Sequence, residues 1–151
     1  MTELKLSPTS LNLFQECPRC FWLQLVKGVK RPRGVFPSLP GGMDLAIKVY
    51  FDGWRKRGEM PPELVSEGVA GQLFGDQALL DKWRDWRSGL QHRDPRLNAS
   101  LRGALDDCLI QADGYVPLDY KTRGFPRKED SETFYQLQLD CYAWLLEANG
   151  Y

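Results

Sequence analysis

Asp113-Gly114 separates two strand-like stretches in "LRGALDDCLIQADGYVPLDYKTRG", and this pair constrains the fold more tightly than any other short feature of the chain. Asp-Gly between such runs is a strong hairpin signal, because both residues accept the positive φ of a tight turn. With these two as the turn, Ala112 pairs with Tyr115, Cys108 with Asp119, and Asp106 with Lys121. Side chains alternate along a strand, so Asp106, Asp119 and Lys121 project from one face. Asp106 and Asp119 become diagonal neighbours, roughly 7–8 Å apart at the backbone. A three-residue loop would instead turn Asp106 to the other face. Carboxylates this close repel unless a cation lies between them. A hard divalent ion such as Mg²⁺ takes carboxylate oxygens at about 2.1 Å and keeps several waters. A lysine beside it can orient or help deprotonate an attacking water. The competing reading is a surface hairpin with an exposed Asp–Lys pair, which is common and worth little. Asp107 faces away from Asp106, in a structural or solvent role, and its replacement is expected to be mild.

Around the hairpin the periodicity is helical. Ser7-Pro8 marks a helix start, with Ser7 as N-cap and Leu11, Leu13 and Phe14 on its apolar side. Pro18 interrupts, and Phe21, Trp22, Leu23 and Leu25 form a second short helix ending at Gly28. "KRPRGVFPSLPGG" reads as a loop. A helix over Met43–Arg57 carries Leu45, Ile47, Tyr50, Phe51 and Trp54, and Gly58 stops it. In "DQALLDKWRDWRSGL", Asp76 caps a helix with Leu79, Leu80, Trp83 and Trp86 on one face, its tryptophans packing rather than stacking on bases. The last helix, Ser131 to Ala148, carries Phe134, Leu137, Tyr142, Leu145 and Leu146. Helix–strand–strand–helix order gives an α/β (α+β) core, and a two-stranded ribbon alone is marginal, so more strands are required.

Three segments together resemble the PD-(D/E)XK nuclease superfamily, in its RecB-like branch, which includes CRISPR-adaptation exonucleases. They are Gly103-Ala-Leu-Asp106, Asp119-Tyr-Lys121 and Gln138-Leu-Asp-Cys-Tyr142, preceded by "LSPTSLNLFQECPRCFWLQL". Each is weak alone; their order and spacing are fairly specific. The resemblance runs from Leu6 to Leu146. It implies a single restriction-endonuclease-like domain over residues 1–151, with a central mixed sheet and an antiparallel hairpin flanked by helices. A further strand usually follows the Gln-x-x-x-Tyr helix, so a reduced core, a truncated product and part of a longer reading frame all stay open.

The resemblance assigns Asp106 and Asp119 to metal binding, with the Tyr120 carbonyl as a further ligand. It assigns Lys121 to the water or phosphate, and Gln138 with Tyr142 to the scissile phosphate; alone, those two would read as a surface amide and a core aromatic. An acidic residue on an earlier helix is also expected: Asp44, with Asp52 as the alternative and capping as its competing role. The implied activity is Mg²⁺- or Mn²⁺-dependent hydrolysis of DNA from ends or in single strands. The alternative is a nuclease-fold binding or assembly module that cuts poorly. Implied partners are DNA and, further out, helicase, recombination or CRISPR proteins.

The chain is neutral, with 20 basic and 20 acidic residues, so net charge gives no nucleic-acid signal. Its distribution is more informative. Lys27, Lys30, Arg31 and Arg33 cluster in one loop, and Arg123, Arg127 and Lys128 follow the Asp-Tyr-Lys motif. A phosphate path there needs positive charge; solvated loops are the plainer reading. Arg19 is a candidate DNA contact or carboxylate brace. Four cysteines (Cys17, Cys20, Cys108, Cys141) and one histidine, His92, lack the second close pair of a zinc site. Three C-terminal cysteines that some RecB-like nucleases use for an iron–sulfur cluster are also missing, so buried reduced thiols, no zinc and no cluster are expected. With no apolar run long enough to span a bilayer, and Glu3 and Lys5 where a signal-peptide core would lie, a cytoplasmic location away from membranes is expected. Neither a Gly-rich phosphate loop nor a Ser-His-Asp set is visible.

Overall fold

The structure, a computed structural model, describes residues 3–32, 34, 38–112, 114–122 and 131–151. It is α+β, as the sequence predicts, with its strands divided between two three-stranded sheets. The chain forms two compact units. The first comprises Met1–Phe36, Leu90–Gly103 and Lys128–Gly150; the second comprises Pro37–Gly89, Ala104–Arg127 and Tyr151. Among the described residues no helix is long and apolar enough to cross a membrane.

In the first unit, β1 (Leu4–Leu6) runs parallel to β4 (Ala99–Gly103), which pairs antiparallel with β3 (Leu90–Asp94). Helices α1 (Pro8–Glu16), α2 (Pro18–Leu25) and α6 (Ser131–Ala148) complete it. Ser7 caps α1 in a reciprocal box with Ser10, and Pro8 opens the helix, where a missing N–H costs nothing. Cys17 caps α2, its Sγ accepting the Cys20 N–H at 3.2 Å. The apolar side of α6 buries Cys141, Tyr142, Leu145 and Leu146, and α6 packs on β3 and β4.

Gly103 is what lets α6 approach β4. A Cβ there would lie 2.7 Å from Tyr142 Cε1 and 3.1 Å from Leu145 Cδ1. Both neighbours are buried, so neither can simply swing away. Gly103→Ala is expected to cost about 1–3 kcal/mol by overpacking. Gly114→Ala, where a Cβ meets nothing within 4 Å, should cost much less. Urea midpoints of the two variants make the comparison; equal midpoints would refute it.

The second unit holds α3 (Ser38–Arg57), α4 (Pro62–Ser66), α5 (Gln77–Arg84) and an antiparallel sheet in the order β2 (Gln72–Leu73), β5 (Asp107–Gln111), β6 (Gly114–Leu118). Helix α3 starts five residues before the expected Met43. Pro40 falls in its first turn, where backbone N–H groups have no helical partner, so the Pro-Gly-Gly run does not block it. Gly58, at φ +70°, follows its end as expected. Leu80 and Trp83 of α5 are buried, and Trp83 stacks on Phe74 at 4.7 Å. Trp86 lies beyond the helix end and is 62% exposed, so it does not share the packed face the periodicity gave it.

The hairpin forms with a different register. Gln111 pairs with Gly114, Leu109 with Val116 and Asp107 with Leu118. Ala112 and Asp113 therefore separate the strands, Asp113 lying outside the described residues. Gly114 is a strand residue rather than half of the turn. The slip is by two residues, which preserves the facing of every side chain. The stretch read as one strand from Leu101 is two: β4 in the first unit and β5 in the second, separated by Ala104–Asp106.

Candidate functional site

Asp106 and Asp119 sit just outside the open end of the β5–β6 hairpin, one before β5 and one after β6. Asp106 is fixed from three sides. Its Oδ2 accepts the Tyr120 N–H at 3.1 Å, and its carbonyl accepts Arg84 Nε at 2.7 Å. Next to it, Leu105 is fully buried and donates its N–H to the Trp83 carbonyl at 2.9 Å. The remaining oxygen, Oδ1, meets Lys48 Nζ at 2.9 Å. The Asp119 side chain is 7% exposed and ion-pairs with Lys121.

Helix α3 supplies the other wall. Asp44, Lys48, Asp52 and Arg55 recur at spacings of four, four and three, so they line one helical face. Asp44 Oδ2 accepts Lys48 Nζ at 2.8 Å. The expected apolar stripe is only partly the packed side: Leu45 is 65% and Tyr50 41% exposed, whereas Arg55 is buried. Phe51 holds Tyr120 against the helix, with ring centroids 4.6 Å apart.

Asp107 turns the opposite way from Asp106, as strand alternation requires, and is fully buried. It ion-pairs with Arg55, meets Arg84 at 3.3 Å, accepts the Tyr120 hydroxyl, and caps its neighbour's Cys108 N–H at 2.8 Å. Arg55 also donates Nε to the Phe74 carbonyl at 2.7 Å, and Arg84 reaches Asp52 at 2.9 Å. This two-arginine, two-aspartate lattice was not expected from the sequence, and it corrects the mild role given to Asp107. Burial leaves each charge dependent on its partners. Tyr120 thus serves both faces, its N–H on Asp106 and its hydroxyl on Asp107; burial first, then the Asp107 charge, raises the phenol pKa well above its ordinary value.

Burial also works against the charge of Asp52, but Arg84 and Arg55 outweigh it and hold this carboxyl below the usual range. A folded-state value below the unfolded one gives stability that is complete above about pH 4 and lost as pH falls through the folded value. Thermal melts should therefore change little from pH 7 to 5 and drop below about pH 4. Asp52→Asn should show a shallower acid drop; an unchanged slope would contradict this.

Lys48 and Lys121 differ. Burial opposes the Lys48 charge, yet its bonds to Asp44 and Asp106 prevail and raise its pKa. Burial lowers the Lys121 pKa against the pull of Asp106 and Asp44, with Lys48 adding to the lowering. Asp44, Lys48, Asp106, Asp119 and Lys121 thus form one electrostatic cluster. Among the described residues no three carboxylate, imidazole or thiolate groups converge on a single point. Two carboxylates, Asp44 and Asp106, do converge on one cationic centre, the Lys48 ammonium. Mg²⁺ needs only one or two carboxylates, with waters and phosphate oxygens completing its shell, and this all-oxygen donor set suits it.

The other candidates lie in the first unit or outside the described residues. Gln138 Nε2 donates to the Tyr142 hydroxyl at 2.8 Å, and the Tyr142 ring seats on Gly103. Arg19 and Lys30 are exposed, whereas Arg31 pairs with Glu16 at 3.0 Å. Arg33, Arg123, Arg127 and Lys128 lie outside the described residues. Cys17 and Cys20 are half-exposed, because one caps a surface helix and the other sits in its first turn, so only Cys108 and Cys141 match the expected buried thiols. Burial pushes the Cys108 thiol up to about 12.

A family model of the PD-(D/E)XK nuclease superfamily matches residues 44–151, a span that contains the whole Asp44–Lys121 cluster together with Gln138 and Tyr142. No curated protein and no solved structure matches the chain.

Proposed function

Because this chain belongs to the PD-(D/E)XK nuclease superfamily, we propose that it is a metal-dependent deoxyribonuclease of the RecB-like branch that acts on DNA ends or single strands. Nucleases of this superfamily generally use divalent metals such as Mg²⁺ or Mn²⁺. The observation that carries the reading is the convergence of Asp44 and Asp106 on one cationic centre, with the Asp119–Lys121 pair in the same cluster. Asp44 and Asp106 would hold the ion, and the family resemblance adds Asp119 and the Tyr120 carbonyl as further ligands. A bound Mg²⁺ or Mn²⁺ supplies Lewis acidity at the phosphoryl group and lowers the pKa of water.

The chain's own groups do the rest. The Tyr120 N–H fixes which Asp106 oxygen points away from the hairpin. Asp119 orients the Lys121 ammonium, which places positive charge where a phosphodiester gains negative charge during hydrolysis. The partial burial of Lys121 strengthens that effect, since charge in a water-poor site is less screened. Gln138, held by the Tyr142 hydroxyl, is assigned to the scissile phosphate. Arg19, Lys30, Arg31, Arg123, Arg127 and Lys128 are assigned to the DNA backbone.

Linear end-labelled DNA, covalently closed circles and single strands, each incubated with Mn²⁺, test the substrate. The proposal expects products from linear and single-stranded DNA and none from closed duplex circles. Rapid linearisation of the circles would refute the end preference and make the enzyme an endonuclease.

A further inference from the structure

The same face of α3 carries two cations of different character. Arg55 has a side chain 3% exposed and is pinned by the Phe74 carbonyl, Asp52 and Asp107. Lys48, seven residues earlier, has a side chain 20% exposed, and its ammonium meets two carboxylates, Asp44 at 2.8 Å and Asp106 at 2.9 Å. A lysine stem is flexible and its ammonium is a compact point charge, so it can leave without moving the helix. Without a cation between them, Asp44 and Asp106 would repel in a partly buried setting where salt screens poorly. A divalent ion and an ammonium cannot share the same two oxygens, because like charges at that separation repel strongly.

We propose that Lys48 is the resident counter-cation of the metal-free site: it holds Asp44 and Asp106 together, is displaced when the divalent ion enters, and so weakens and tunes metal affinity. The inference rests on the reading of Asp44 and Asp106 as metal ligands. Lys48 is therefore a positioning residue, acting through the carboxylates it gathers.

Mn²⁺ binding to the full chain, followed by electron paramagnetic resonance, tests it without reference to cleavage. Lys48→Met keeps the stem and removes the charge. It should lower the melting temperature of the metal-free protein yet bind Mn²⁺ roughly three- to tenfold more tightly, the range for losing two partly exposed ion pairs. Lys48→Arg should return the affinity towards that of the parent. A second measurement uses the parent alone. Acetylation of Lys48, read by mass spectrometry against the exposed Lys82, should rise when Mn²⁺ is added. If the parent binds Mn²⁺ while Lys48 labelling stays constant, or Lys48→Met binds no more tightly, Lys48 is structural and only this inference fails. If the parent shows no Mn²⁺ binding at all, the metal site fails and takes the inference with it.

Discussion

Asp107→Ala is expected to destabilise the protein by about 3–5 kcal/mol, the cost of removing one partner from a buried ion pair. Asp107 is fully buried and meets two guanidinium groups, a phenol and a backbone N–H. Without it, Arg55 is left buried with a positive charge and, among the described residues, Asp52, the Phe74 carbonyl and Gln77 to share it. Asp107→Asn keeps the shape and loses the charge, so it too should be strongly destabilising. Urea denaturation at pH 7 measures both. A loss below about 1 kcal/mol for Asp107→Ala would mean that the lattice is not structural. The contrast with Asp106 is informative: adjacent in sequence, one carboxylate is expected to decide folding and the other chemistry.

At Asp106 the expected loss is in activity. Asp106→Asn retains an oxygen for the Tyr120 N–H but removes the charge that attracts a metal, so the fold should survive while Mn²⁺ binding and cleavage disappear. Lys121→Ala should separate these two properties. It leaves Asp44 and Asp106 in place, so metal binding should persist, while cleavage falls by about 10²–10³, the typical cost of removing one charge-stabilising group. Gln138→Ala should fall between the parent and Lys121→Ala. Loss of metal binding in Lys121→Ala would show that lysine assembles the site by holding Asp119, rather than acting on the phosphate.

The local chemistry of this site was legible because it depends on short spacings. Strand alternation separated Asp106 from Asp107 even though the hairpin register slipped, since a two-residue slip keeps every side chain on its face. Gly103 and Tyr142 both fall in the segments that carry the family resemblance, but their contact was not legible there: which tyrosine seats on which glycine is set by how α6 packs on β4. The β3–β4 turn was missed although its signal was present. Asp94 accepts backbone N–H groups from Arg96 and Leu97, and Asn98 takes φ +47°, in "DPRLNAS". The Arg55–Arg84 lattice was hidden for a different reason. Its members lie up to 55 positions apart, from Asp52 to Asp107, and a buried arginine looks like a surface one in sequence. The alternation Asp44, Lys48, Asp52, Arg55 on one helical face was the available clue.

The most direct test is the initial rate of cleavage of end-labelled DNA by the full chain as Mn²⁺ is raised from zero, with Asp106→Asn measured alongside. A metal-dependent nuclease centred on the mouth of the hairpin predicts no product in chelator, a rate that rises and saturates with Mn²⁺, and no product from Asp106→Asn at any concentration. Equal rates with Mn²⁺ and with chelator, or an Asp106→Asn variant as fast as the parent, would contradict it.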